Sequence, residues 1–269
     1  MTTIIKFLAV AAALGAGSGA QATTAYGILT ATNSPLFSID SVTGVTTTIG
    51  NTGVTTNFGD LANVGTSLYA LGGRGNNNLY TLNTTTGAAT LIGAHGIDDL
   101  FGLAYDPNAG VMYATSFISG QVLYSLSLTT GAATVIGTMG AGMGGLTYDT
   151  LRNRLVGVND GGGTFYAINT ATAAVTSLGN GGGNDDSDIA YDASTDSFLM
   201  GDYQGRFFRY DAATFTRTTV VTGLGRFDGI AILNGAAGGV PEPAAWALMI
   251  AGFGMVGSAA RRRRTMRTA

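Results

Sequence analysis

The sequence predicts an all-β fold, a closed five-bladed propeller, and three observations carry that prediction. A strand-like segment recurs as LFSID (36–40), LYTLN (79–83), LYSLS (123–127), FYAIN (165–169) and FFRYD (207–211), at steps of 43, 44, 42 and 42 residues. A second apolar segment recurs at Leu61, Leu103, Leu146, Ile189 and Ile230, at steps of 42, 43, 43 and 41. A period of about 40–45 residues holding four strands is that of a propeller blade. The third observation is an offset. The repeat region enters at a second-strand-like segment, Gly27–Thr32, and leaves on a lone first strand, Gly229–Leu233. Five blades are complete only if the last strand pairs with the N-terminal half-blade, a closure that removes an open sheet edge. An open β-solenoid is the main rival, but it has no need of complementary half-blades.

The unit Gly102–Gly137 shows why each segment takes its form. Gly102–Asp106 is a short apolar strand. Asp106-Pro-Asn-Ala-Gly110 is its turn, where Asp bonds backbone ahead of it, Pro presets φ and Gly takes the left-handed position. Val111–Ser116 is the second strand, and Val122–Ser127 alternates apolar and polar residues as a half-buried third strand does. Ser127-Leu-Thr-Thr-Gly131 closes a hairpin, and Ala132–Ile136 is the fourth strand. The turn after strand three recurs as DSVTG, NTTTG, SLTTG, NTATA and DAATF, so the last two copies lack Gly.

Composition agrees with this reading. The 43 Gly residues suit a fold with many tight turns, and the residues from 23 to 234 suffice for one all-β domain. Charged residues are only 11% of the chain, so Thr, Asn, Ser and Asp carry its polarity. Residues 23–239 hold seven Arg, no Lys and 15 Asp, a net −8, which argues against a nucleic-acid partner. No Cys is present, so disulfides and thiol chemistry are excluded.

Residues 1–22 read as a secretory signal peptide. Lys6 precedes an apolar run, Phe7–Leu14, and Ala20-Gln21-Ala22 fits the small-x-small rule for cleavage after Ala22 by signal peptidase. The run is too short for a membrane anchor. The propeller follows over 23–234 and a linker over 235–240. Then come Pro241-Glu-Pro243, an apolar run of 17 residues (244–260), Arg261–Arg264 and a 265–269 tail. The run is at the lower limit for spanning a bilayer, with Trp246 near one end and arginines at the other, as the positive-inside rule expects.

The loops leading into each first strand gather carboxylates, namely Asp60, Asp98, Asp99, Asp185, Asp186, Asp188 and Asp228. An acidic ring at one mouth of the channel is the expectation, with Asp98, Asp99, Asp185 and Asp186 as candidate ligands for a hard cation such as Ca²⁺. No defined calcium loop occurs, and these residues equally suit turns. No catalytic constellation is visible. His95 is the only histidine, and no G-x-S-x-G elbow is present. The Gly72–Gly75, Gly161–Gly163 and Gly181–Gly183 runs lack the Lys-Ser/Thr of a phosphate loop. The recurring tyrosines read as core rather than as a sugar platform.

The segment Val240–Arg264 resembles the PEP-CTERM sorting signal in its P-E-P-x-x-W-A variant, through Pro241, Glu242, Pro243, Trp246, Ala247 and the cluster Arg261, Arg262, Arg263, Arg264. The resemblance implies a Gram-negative bacterium, a precursor anchored in the cytoplasmic membrane, and processing by an exosortase near Pro241–Pro243. It further implies a link to exopolysaccharide and biofilm. The body is similar to secreted bacterial propeller repeats, which transfers no catalytic residues. The expected protein is an exported surface or extracellular-matrix propeller, non-enzymatic, binding exopolysaccharide or a surface protein. The alternative is a metal-dependent hydrolase or lactonase-like enzyme.

Overall fold

A computed structural model describes residues 22–117, 121–183 and 188–233. All regular elements among them are β-strands, and none is a helix long and apolar enough to cross a membrane. The expected signal peptide up to residue 21, the linker, the Pro-Glu-Pro segment with its apolar run, and Asp185 and Asp186 lie outside the described residues.

The described strands form five four-stranded antiparallel sheets, each running from an inner strand at the axis to an outer strand at the rim. In that order blade one is β20 (Phe227–Ile232), β1 (Thr24–Leu29), β2 (Pro35–Asp40) and β3 (Thr46–Asn51). Blade two is β4 (Leu61–Val64), β5 (Ser67–Leu71), β6 (Asn78–Leu82) and β7 (Ala89–Ala94). Blade three is β8 (Leu100–Asp106), β9 (Val111–Ser116), β10 (Val122–Leu126) and β11 (Ala133–Thr138). Blade four is β12 (Met143–Asp149), β13 (Arg154–Asn159), β14 (Thr164–Ile168) and β15 (Val175–Asn180). Blade five is β16 (Asp188–Asp192), β17 (Ser197–Gly201), β18 (Arg206–Asp211) and β19 (Arg217–Thr222).

Each inner strand touches the next in a ring, β4 to β8 to β12 to β16 to β20 and back to β4. Strand β20 comes from the far end of the repeat region, yet it pairs antiparallel with β1, Gly27 lying opposite Ile230. The entering strand begins at Thr24, three residues ahead of the expected Gly27.

Five buried apolar clusters fill the spaces between neighbouring blades. The sheets therefore pack face to face, and alternate residues of one strand serve two interfaces. The interface of blades four and five is the most aromatic, with Phe165 5.1 Å from Tyr210, 5.3 Å from Phe198 and 5.0 Å from Phe215 between ring centroids.

The repeated turn explains the rim. In every blade its first residue caps two N–H groups ahead of it, Asp40, Asn83, Ser127, Asn169 and Asp211 each accepting both. Its fifth residue is left-handed in all five blades, at φ 71, 83 and 75° for Gly44, Gly87 and Gly131, but also at 62 and 58° for Ala173 and Phe215. A bulky residue costs roughly 1–2 kcal/mol there, and burial of the Phe215 ring against Phe165 and Phe198 offsets it.

These turns dock on the outer strand of the preceding blade, where Gly50, Gly93, Gly137 and Gly179 make room in four blades and Val221 meets the Gly44 turn in the fifth. A Cβ on Gly93 would sit 2.1 Å from the Thr130 carbonyl oxygen of the next blade. At the same level the third and fourth strands of every blade shift register, between Leu36/Phe37, Leu79/Tyr80, Leu123/Tyr124, Phe165/Tyr166 and Phe207/Phe208. Such bulges twist an outer edge that carries little charge to protect it.

The docking contact predicts an asymmetry between two glycines. Gly93→Ala should lower unfolding free energy by about 1–3 kcal/mol, because the rim backbone must yield. Gly183→Ala, whose Cβ would stand 3.4 Å from the Gly161 carbonyl oxygen, should be near neutral. Denaturant melts of the two variants check this, and equal effects would refute the rim account.

Candidate functional site

The inner strands of a propeller present N–H groups to the axis, where no further strand can accept them. Two aspartates at the starts of inner strands take that role. The Asp60 carboxylate accepts from its own neighbour, Leu61 N–H, and from Leu103 N–H of blade three. Asp188 accepts from Ile189 N–H at 2.7 Å and from Ile230 N–H of blade one. Thr147 Oγ1 accepts from Tyr191 N–H at 2.9 Å, joining blades four and five in the same sense. Between them are glycines: a Cβ on Gly145 would meet Asp188 Cα at 2.7 Å, and one on Gly229 would meet Leu61 N at 2.8 Å.

Asp60 and Asp188 are buried and hydrogen-bond one another, which requires a proton between the two carboxyls. Burial raises Asp60 well above the carboxylate range, and the neighbouring Asp188 charge adds to it. Burial pushes Asp188 up to about 7, against the hydrogen bonds it receives. A third carboxylate, Asp228, is 3% exposed. Its Oδ1 accepts from Thr30 Oγ1 and Phe58 N–H. Burial raises its affinity for a proton, opposed by the Thr30 and Phe58 donors and by Thr56 and Gly59 beside the carboxylate.

Aromatic rings cover this end of the channel. Tyr203, Phe58, Phe101 and Phe117 form a ladder, with centroids 4.9, 5.4 and 5.5 Å apart and planes within 18, 17 and 6°. The Arg74 guanidinium lies 4.8 Å from the Phe58 centroid, and that of Arg226 lies 4.6 Å from Tyr203. Phe58 has φ 55°, unusual for an aromatic residue, and its N–H is held by Asp228. The cavity left beneath the rings is about 20 Å³, room for one water-sized species.

The opposite mouth is different. It opens as a funnel of about 1450 Å³ with Tyr26, Tyr105, Tyr148 and Tyr191 in its wall. Tyr148 and Tyr191 donate to Asn153 and Asp196 at 2.8 Å each, so these rings also brace the turns between first and second strands. Ala22 and Leu233 both line this funnel, so the N- and C-terminal flanks start from the same face.

Of the sequence candidates, Asp98 is exposed and Asp99 buried, on the short connection into β8. Among the described residues no three His, Cys, Asp or Glu side chains are grouped to hold a metal. The axial carboxylates are Asp60, Asp188 and Asp228 instead. Aligning the repeats carries a signal for the first two, since both directly precede the Leu or Ile that opens the recurring inner-strand segment. The aromatic ladder has no such signal. His95 is buried, with Nδ1 accepting Ile97 N–H at 3.3 Å, and burial lowers its pKa to about 4, so it stays neutral.

Comparison with known proteins adds a second line. Residues 239–264 match the family model described as the PEP-CTERM protein-sorting motif. The chain thus carries that motif behind a propeller body, which implies an exported, membrane-anchored precursor and an exosortase substrate. No curated protein sequence matches the chain. Among solved structures the body is similar to a chain of a nidogen/laminin complex, at 15% identity and TM-score 0.52, over 75% of this chain and 77% of that one. It is also similar to a structural-genomics protein from Bacteroides thetaiotaomicron VPI-5482, at 15% identity and TM-score 0.52. That match covers 77% of this chain and 60% of the other. Both likenesses concern the fold alone.

The shared proton makes stability depend on pH. In the folded protein the pair keeps its proton after unfolded carboxyls, with pKa about 3.9, have lost theirs. Its contribution is therefore full below about pH 4 and is lost as pH rises toward about 7. Buried neutral His95 works in the opposite direction over the same range. Asp60→Asn isolates the pair: its amide can donate to Asp188, while it loses one acceptor for a backbone N–H. The melting-temperature gap between wild type and Asp60→Asn should be widest near pH 4 and narrow by pH 7. A gap that is constant or widens with pH would show that the pair does not share a proton.

Proposed function

We propose that this protein is an exported surface or extracellular-matrix component, with its signal peptide removed after Ala22. Its C-terminal segment is cut by an exosortase near Pro241–Pro243. In this reading the propeller is a non-enzymatic binding or structural module associated with exopolysaccharide. The match of residues 239–264 to the sorting motif is the observation that carries the reading.

The geometry supports it in three ways. At the ring-covered mouth the cavity, about 20 Å³, is too small for an organic substrate. The axial carboxylates Asp60 and Asp188 are saturated with backbone N–H groups, which suits structural duty better than proton transfer to a substrate. The outer strands expose uncharged groups, among them Thr47, Thr48, Thr90, Thr134, Thr176 and Thr218, a surface suited to neutral polymers.

Replacing the Pro-Glu-Pro residues, as Pro241→Ala with Glu242→Ala and Pro243→Ala, should leave full-length precursor in the membrane fraction of a Gram-negative host that makes an exosortase. The wild-type chain should appear shortened and outside the cell. Immunoblots against the propeller in each fraction read the outcome, and unchanged shortening of the variant would refute processing at this site. Retention of the wild-type chain on immobilised exopolysaccharide from that host tests the binding half of the reading.

A further inference from the structure

The carboxylate of Asp228 is only half provided for. Oδ1 has two donors, Thr30 Oγ1 and Phe58 N–H. Oδ2 is buried and has no hydrogen-bond partner. Thr56 stands beside this carboxylate, but its hydroxyl proton is committed to Ser34 Oγ at 2.8 Å, and Ser34 in turn donates to the Ala31 carbonyl. Asp228 lines the 20 Å³ cavity under the aromatic ladder, and Asp160, from the connection between β13 and β14, lines it as well. An oxygen with lone pairs to spare, on a residue that lines a space for one small species, leaves the site incomplete.

Charge decides what completes it. Asp188 and Asp228 are both buried carboxyls that line this cavity. Neither Asp188 nor Asp228 is in an ion pair; the four pairs among the described residues involve Asp149, Asp196 and Asp202. Arg74 and Arg226 lie over the ring faces of Phe58 and Tyr203. A water would offer Oδ2 a hydrogen bond and leave the charge buried. A cation answers both needs, since buried charges are paired or coordinate metals.

We propose that the cavity beneath Phe58 and Phe101 binds one hard divalent cation, best matched by Ca²⁺, through Asp228 Oδ2 and the Asp160 carboxylate. Backbone and water oxygens complete the shell, because no third acidic side chain is grouped with these two among the described residues. Two carboxylates place the site in the weak class typical of extracellular modules, with Kd about 0.1–1 mM. The bound ion would brace the β3–β4 connection, which carries left-handed Phe58, against the opposite side of the mouth.

The test uses the full chain in detergent, freed of metal by chelation and then titrated with Ca²⁺, with Mg²⁺ and K⁺ as comparisons. At 10 mM Ca²⁺ the melting temperature should rise by about 3–6 °C, and calorimetry should show one site. Asp228→Asn keeps the Oδ1 acceptor for Thr30 and Phe58 and removes the charge. It should fold, melt in chelator no lower than wild type, and lose the Ca²⁺ shift. If that variant fails to fold, Asp160→Asn carries the test and should also lose the shift. No Ca²⁺ shift in the wild type, or an undiminished shift in whichever variant is read, overturns the proposal.

Discussion

The structure depends on satisfying N–H groups at the inner edge of a ring that is closed to any further strand. Five inner strands converge on the axis, and each turns one edge toward it. An unpaired buried N–H costs about as much as a lost hydrogen bond, roughly 1–3 kcal/mol. Asp60 and Asp188 each take one N–H of their own strand and one of the next, so each carboxylate is also a clasp between blades. The space that admits them is made by glycine at the equivalent positions 102, 145 and 229, where a Cβ would collide with the neighbouring inner strand or its support. Two buried acids then meet, and a shared proton is the consequence. The proton follows from closure of the ring and needs no catalytic purpose.

The rim solves the complementary problem with different chemistry. There the fourth strand has an open edge and water is available, so buried acids are unnecessary. The repeated turn caps its own N–H groups with an Asp, Asn or Ser side chain and presses into a glycine notch on the preceding blade. Axis and rim thus hold adjacent blades at two radii, and the apolar clusters fill the space between. Blade closure through β20 and β1 leaves no interface to a terminal cap, and the clasp that Asp188 makes to Ile230 N–H lies across that closing interface.

Much of this architecture is legible in the sequence, because a propeller repeats its local chemistry. The 42–44-residue period, the alternation in the third strands and the polar–x–x–Thr–Gly turns give the strands, their order and the half-blades at the ends. The turns NTATA and DAATF look like departures, yet Ala173 and Phe215 keep the left-handed conformation of the glycines they replace. Packing across the blade four and five interface overrides local preference there. The carboxylates are harder to read. Asp98 precedes β8 while Asp228 is the second residue of β20, and that shift of a few residues separates an exposed turn from a buried carboxyl. The aromatic ladder is invisible for a clearer reason. Phe58 comes from the β3–β4 connection, Phe101 from β8, and Phe117 and Tyr203 from the segments after β9 and β17, so no single repeat position marks the ladder.

The two mouths divide the molecule's chemistry. One is closed by stacked rings over buried acids and leaves space for a single small species; the other is an open funnel braced by tyrosines, from whose edge both flanks depart. An enzyme acting at the first mouth would have to break a ladder of four rings and two cation–π contacts to admit substrate. A left-handed phenylalanine in that ladder stores strain, and strain persists only where the surroundings hold it in place. Here those surroundings are the Asp228 carboxylate and the rings on either side. The ring-covered end and the uncharged, hydroxyl-bearing rim are the two features on which the proposed polymer-binding role rests, and the sorting motif is what places that role outside the cell in this proposal.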